Sequence, residues 1–217
     1  MYRQIGIGRI DNLGHPNGKD LAGDLLLHSS ILKEFEFLPV LVLVLIIMIQ
    51  DDLRCRKRCD YNYFLDYQLR WADNDMYAHV NNAQYYHLID SIVNTYLIMH
   101  CGLVPSPPIG KALSPNNQIG LVPRSHCTYF SPVSFPGLVT LGLRIAKLGK
   151  NSVEYEVGFF EEEKEEVCVV GGFVHVFVDR LTRKVDKSGH GMGKELREGL
   201  ERLRDEKIVD SKNISKL

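Results

Sequence analysis

Much of the chain between Ile119 and Arg180 is written in two-residue alternation. In "SVEYEVGFF", Val153, Tyr155, Val157 and Phe159 fall on one side, while Glu154 and Glu156 fall on the other. Successive side chains of a strand point to opposite faces, so this run has one face for a core and one for water. "LVTLGLRIAKL" repeats the pattern, with Leu141, Leu143 and Ile145 on one face. "IGLVPRSHCTYF" and "VCVVGGFVHVFVDR" have the β-branched and aromatic content of strands. Gly171 and Gly172 in the last run predict a bulge or a sharp bend. The turn "SPVSFPG" and the charged connection "EEEKEE" separate neighbours in the way of antiparallel hairpins. A sheet of such strands needs a cover for its apolar face.

One segment can supply that cover. In "NNAQYYHLIDSIVNTYLIMH", Tyr85, Ile89, Ile92, Val93, Tyr96 and Leu97 recur at helical steps. Asn81 or Asn82 suits the N-cap, where a side-chain oxygen accepts from an amide of the first turn. Pro105, Pro107 and Pro108 lie beyond its end and mark a loop. Before the helix, "YFLDYQLRW" reads as a further strand. After the sheet, "GKELREGLERLRDEK" sets Leu196, Leu200 and Leu203 on one side of a short helix. The order predicts an α+β domain, an antiparallel sheet curled around one long central helix. His126 and His175 fall on strands and read as structural.

The division expected along the chain is an extension at 1–60, the patterned domain at 61–185 and a helical tail at 186–217. The extension contains "FLPVLVLVLIIMI", Phe37 to Ile49, with no charge. A spanning helix needs about 20 apolar residues, so membrane insertion is not expected. Its Val and Ile content favours a buried strand. Glu34 and Glu36 stand just before the run and "RCRKR" stands after it, the reverse of a signal peptide.

Among the 217 residues, 45% are hydrophobic and 24% charged, with a formal net charge of -1. Nucleic acid and anionic membranes therefore meet no general attraction. Five cysteines, an odd number at scattered positions, read as reduced thiols of an intracellular protein. The compartment expected is the cytoplasm, with mitochondria as the alternative. Cys55 and Cys59 lack a second pair to complete a zinc site. With no Gly-rich nucleotide loop either, no metal or cofactor is expected.

The junction between first strand and helix holds the chemistry. "RWADNDMYAHVNNAQYY" places Asp73, Asp75, His79, Asn81 and Asn82 just ahead of a helix N-terminus. Amides of a first helical turn are unpaired and carry the positive end of the helix dipole. Around Asn81 and Asn82 they can form an oxyanion hole without a cationic side chain. Taken alone, Asp75 suits an Asx turn or a cap.

This stretch resembles the signature of the hotdog-fold acyl-CoA thioesterases, the 4-hydroxybenzoyl-CoA thioesterase-like superfamily. Arg70, Asp73, Asp75, His79, Val80, Asn81, Asn82 and Tyr85 stand in the places of its pattern. "YFSPVSFPGLVTLGLRIAKLGKNSVEYEV" is similar to the family's second half, and the likeness runs from Tyr61 to Lys184. It implies hydrolysis of an acyl-CoA, with Asp75 as the catalytic carboxylate, either nucleophile or general base. It also implies a homodimer, often paired into a homotetramer, with active sites between subunits.

His79, Asn81, Asn82, Tyr85 and Asp90 are the candidates for substrate binding. His79 contacts substrate or orients the loop. Asn81 and Asn82 act through backbone as much as side chain, and Tyr85 serves ligand or core. Asp90 positions water or sits on a solvated helix face, and Asp73 ties down the turn. Arg124, Arg144 and Lys147 are candidates for the CoA phosphates. The Asp-x-Asn-Pro-x-His and His-Phe-Pro-Gly-His patterns of hotdog dehydratases and hydratases do not occur. The alternative is a non-catalytic acyl-CoA-binding or interaction protein on the same fold.

Overall fold

The computed structural model describes residues 39, 40, 42–45, 48, 52–104, 118–185 and 191–208. The chain divides into two units, Met1–Ile47 and Met48–Leu217, and each is described by itself. In the first, Pro39, Val40 and the residues 42–45 are helical and exposed. The strand expected for this run, and its burial, are therefore not found. A helix pairs its own backbone, whereas a strand must borrow a neighbour's groups. Among the described residues, the sheet takes all five of its strands from residues 63–179.

The second unit contains strand β1 (Tyr63–Gln68), helix α1 (Asn82–His100), strands β2 (Gln118–Tyr129), β3 (Leu138–Leu148), β4 (Ser152–Glu161) and β5 (Val169–Asp179), and helix α2 (Lys194–Asp205). The sheet order is β1-β3-β4-β5-β2, and every neighbouring pair is antiparallel. Helix α1 buries Tyr85, Leu88, Ile89, Ile92, Val93, Tyr96 and Leu97. Opposite them lie Leu141, Leu143, Val153, Tyr155, Val157 and Phe159, all fully buried in the same apolar cluster. This is the hotdog arrangement, a sheet wrapped on one helix.

The register places its irregularities away from the paired glycines. Shifts fall between Leu121 and Arg124 in β2 and between Ile145 and Lys147 in β3. The β4–β5 pairing has the same register on both sides of a gap opposite Gly172 and Phe173. Gly172 is there for another reason: a Cβ on it would lie 2.0 Å from the Tyr155 carbonyl oxygen. No bulge occurs here; the glycine allows a close approach of two strands.

Two segments outside the strands complete the packing. Helix α2 sends Leu196, Leu200 and Leu203 into the main core, and the Tyr96 hydroxyl donates to the Gly199 carbonyl at 2.8 Å. On the sheet's other side, Tyr61, Phe160, Val167 and Val170 form a second cluster with Leu53, Phe64 and Phe130 around it. Beside it the Glu156 carboxylate, almost buried, meets Arg56 Nε at 3.0 Å and the Tyr61 hydroxyl at 3.2 Å. Arg144 Nε stands 3.6 Å from the same oxygen. Residues 53–60 thus pack against the sheet, although their sequence carries none of its alternation.

Candidate active site

The end of β1 reaches the helix through a clamp and a small loop. A single 3-10 turn, Trp71–Asp73, follows the strand. Asp73 is buried, and its carboxylate accepts from the Arg70 amide at 2.7 Å and from the Arg70 guanidinium at 2.7 Å. The Tyr67 hydroxyl adds a longer contact at 3.4 Å. The Arg70 side chain beside it holds the Asp73 carboxyl below the usual carboxylate range. Its charge is thus spoken for by neighbours in the turn.

The loop begins one residue later. A bridge between Asn74 and Val80 closes it, and inside, the Asp75 amide donates to the His79 carbonyl at 2.9 Å. Ala78 closes the turn with φ of 62°, a left-handed conformation that residues with a Cβ rarely adopt. The segment before β3 braces the loop from outside. Ser134 Oγ donates to the Ala78 carbonyl at 2.8 Å, the Phe135 amide to Asn74 Oδ1 at 3.1 Å, and the Val80 amide to the Val133 carbonyl at 2.8 Å.

Asp75 is presented by this loop. Its Oδ1 accepts from the Tyr77 amide at 2.8 Å, so the Asx turn does form. Its Oδ2 lies 3.6 Å from His79 Nδ1, and the side chain keeps 19% of its surface exposed. The Tyr77 ring stacks on the His79 ring with centroids 6.1 Å apart. One carboxylate oxygen shapes the turn and the other is left toward the imidazole.

The helix start then sorts its amides. The Asn81 amide donates to the Asp73 carbonyl at 2.9 Å, so it is not open to a ligand, contrary to expectation. The Asn81 side chain is the N-cap, with Oδ1 accepting from the Ala83 amide at 2.9 Å. The Gln84 amide reaches the Asn81 carbonyl at 2.8 Å. Among the described residues no hydrogen bond is made by the Asn82 amide. It is the donor left over at the positive end of α1.

A cleft of about 240 Å³ opens there. His79, Val80, Asn82 and Tyr85 line it from the loop and helix, and Tyr129, Phe130, Ser131 and Pro132 from the end of β2 and the turn after it. Tyr85 is 3% exposed, and its ring meets those of Tyr129 and Phe159 edge-on at 5.2 and 5.1 Å. Burial pushes its phenol up to about 12, with the Val133 amide pulling the other way. Asp75 is close enough to Tyr85 for its charge to add to that rise.

The expected residues therefore divide. His79, Asn82 and Tyr85 share the cleft, Asp75 stands on the loop beside it, and Asn81 acts as the cap. Asp90 stands apart on the exposed face of α1, where its Oδ1 accepts from Asn94 Nδ2 at 2.8 Å. Arg124 pairs with Glu154, and Arg144 faces Glu156, so both cations already have carboxylates. Sequence reasoning missed the wall formed by Tyr129, Phe130 and Pro132. The only signal for it was an aromatic pair at a strand end. Among the described residues no group of three or more His, Cys, Asp or Glu is placed to hold a metal ion. No helix among them is long and apolar enough to cross a membrane.

Residues 77–168 match the family model of the thioesterase superfamily. The PA5185 protein of Pseudomonas aeruginosa is 43% identical in a superposition covering 69% of this chain and 96% of that one, with a TM-score of 0.60. A Staphylococcus aureus protein, SAV2348, solved in complex with CoA, is 14% identical over 70% of this chain and 89% of its own, with a TM-score of 0.58. A 1,4-dihydroxy-2-naphthoyl-CoA thioesterase from Synechocystis is 13% identical over 65% of this chain and 96% of its own, with a TM-score of 0.54. A search of curated protein sequences found no significant match. The chain belongs to the thioesterase superfamily. The class of reaction that goes with it is thioester hydrolysis.

Proposed function

We propose that the protein hydrolyses an acyl-CoA to the free acid and CoA. The observation that carries this reading is an aromatic-walled cleft lined by Asn82, whose amide makes no hydrogen bond among the described residues, with the Asp75 carboxylate on the adjoining loop. A thioester bound with its carbonyl oxygen at that amide has its developing negative charge met by a backbone N–H at the positive end of α1. Asp75 Oδ2 is the free oxygen that attacks the carbonyl carbon or takes a proton from the attacking water. Attack by Asp75 expels the CoA thiolate and leaves a mixed anhydride, which water then cleaves to the acid and the restored carboxylate. Attack by water that Asp75 activates gives the acid directly as the thiolate leaves. His79, 3.6 Å from Asp75, orients that carboxylate or the substrate.

The CoA held by the Staphylococcus aureus relative and the CoA thioester that names the Synechocystis enzyme support a CoA thioester as substrate. No metal or organic cofactor enters this scheme. Release of free thiol from a panel of acyl-CoAs tests it, and the expected result is turnover that a chelator leaves intact. Turnover lost to chelator and restored by a divalent ion contradicts it.

The assembly belongs to the same proposal. Strand β2 is an edge of the sheet, with Leu121 and Val122 38% and 49% exposed on it. Trp71, Met76 and Tyr77 stand exposed on the segment between β1 and α1. Exposed edges and apolar groups of this kind are normally covered. A second copy is the cover we propose, giving a homodimer or a pair of them, and a monomeric mass in light scattering at micromolar concentration contradicts it.

A further inference from the structure

The cleft has a floor as well as a mouth, and the floor is one residue. Tyr85 lies on the first turn of α1, four residues before Ile89 along the same buried stripe. Its ring is wedged between the helix and the sheet, edge-on to Phe159 of β4 below and to Tyr129 of β2 beside. Beyond it the space between helix and sheet narrows. A Cβ on Gly171 would lie 2.7 Å from Ile89 Cδ1 and 3.1 Å from Cys127 Sγ. The cleft therefore ends on the Tyr85 ring instead of continuing along the helix.

Size and lining then define what fits. A volume of about 240 Å³ holds roughly eight water-sized groups. Tyr85, Tyr129 and Phe130 make walls of flat rings, with Pro132 beside them, and none of the four carries a charge. Resting on the reading of this cleft as the acyl site, we infer that Tyr85, backed by Tyr129, restricts the acyl group to a short chain or a single aryl ring. A chain of twelve carbons has no room unless Tyr85 is removed, when the space under the ring joins the cleft and leads toward Ile89.

The test uses CoA thioethers carrying a 2-oxohexyl or a 2-oxododecyl group, which keep the carbonyl but cannot be hydrolysed. Each is titrated calorimetrically, below its micelle concentration, into the full chain and into Tyr85→Ala and Tyr129→Ala. Thiol release from hexanoyl-, benzoyl- and dodecanoyl-CoA is measured beside it. The expected result is wild-type binding of the short analogue at least about tenfold tighter than the long one, a ratio set by loss of fit where the chain meets the Tyr85 ring. Tyr85→Ala collapses or inverts that ratio. Tyr129 is 42% exposed, so Tyr129→Ala keeps the fold and lowers the ratio by a smaller factor.

Equal or tighter wild-type binding of the long analogue overturns the inference. So does an unchanged ratio in folded variants, or no binding of either analogue. Size-selective binding without thiol release upholds the inference while removing the hydrolase reading. Thiol release with no size preference does the reverse.

Discussion

The Asn81 amide donates to the Asp73 carbonyl at 2.9 Å, and that one bond joins the end of the first strand to the first turn of the helix. The Asp73 carboxylate meanwhile grips Arg70, so both ends of this residue hold the junction together. Asp75 stands two residues further on, outside the clamp. The two aspartates have separate work because their surroundings differ: one is buried and bonded, the other is on a loop beside a cleft.

Asp73→Asn keeps an acceptor but loses the charge that Arg70 pairs with. The buried Asp73 carboxylate thereby loses its charge-assisted bonds to Arg70, so the urea midpoint should fall. The Asp73 carboxyl is held below its ordinary range in the folded state. Its contribution is present above the unfolded carboxyl's pKa and is lost as pH falls through the lowered folded value. The wild type should therefore lose more stability than Asp73→Asn below about pH 4. Turnover by the folded variant should stay near that of the wild type.

Ala78 sits at φ of 62° to close the loop that carries Asp75. A left-handed backbone costs a residue with a Cβ about 1–2 kcal/mol, and glycine escapes that cost while losing more freedom on folding. Ala78→Gly should leave the thermal midpoint unchanged or slightly higher. Ala78→Val should lower it clearly, because a β-branched side chain fits this region worst. Equal midpoints for the two variants would mean that the loop does not hold this conformation in solution.

His175 is buried on β5 against Phe173, Tyr155 and Phe177, with ring centroids 4.7, 5.6 and 5.5 Å away. Its Nδ1 has no hydrogen-bond partner among the described residues. Burial lowers its pKa to about 4. The unfolded chain takes up this proton near pH 6.5, the folded one only near 4, so stability is flat above that window and falls within it. At about 1.4 kcal/mol per pH unit the loss approaches roughly 3 kcal/mol. His175→Phe should flatten denaturation midpoints measured between pH 7 and 4.5.

The fold was legible because its code is local. Val153, Tyr155, Val157 and Phe159 alternate, and Tyr85 through Leu97 recur at helical steps, so core faces could be read before any contact was known. The apolar run at Phe37–Ile49 was not legible, since a patternless run fits strand and helix alike. Gly171 and Gly172 were read as a bulge or a sharp bend because composition marks an unusual backbone without saying which kind. In the site, the motif pointed to His79, Asn82 and Tyr85, which the fold brings to one cleft, and to Asp75 on the adjoining loop, but not to the fate of each amide. That the Asn81 N–H goes to Asp73 depends on a bond across eight residues. Tyr129 and Phe130 escaped notice for a similar reason: only pairing with β5 brings the end of β2 to the helix N-terminus.

The proposed hydrolysis rests on the Asp75 carboxylate, which Asp75→Asn replaces with a neutral amide of the same shape. Asparagine keeps the oxygen that accepts from the Tyr77 amide, so loop and fold should survive, with a thermal midpoint close to that of the wild type. The substitution removes the charge needed to attack a carbonyl carbon or to activate water. With the best acyl-CoA substrate, kcat should fall by about 10²-fold or more, the scale of a lost general base. A folded Asp75→Asn enzyme that turns over at a near-normal rate would contradict the account.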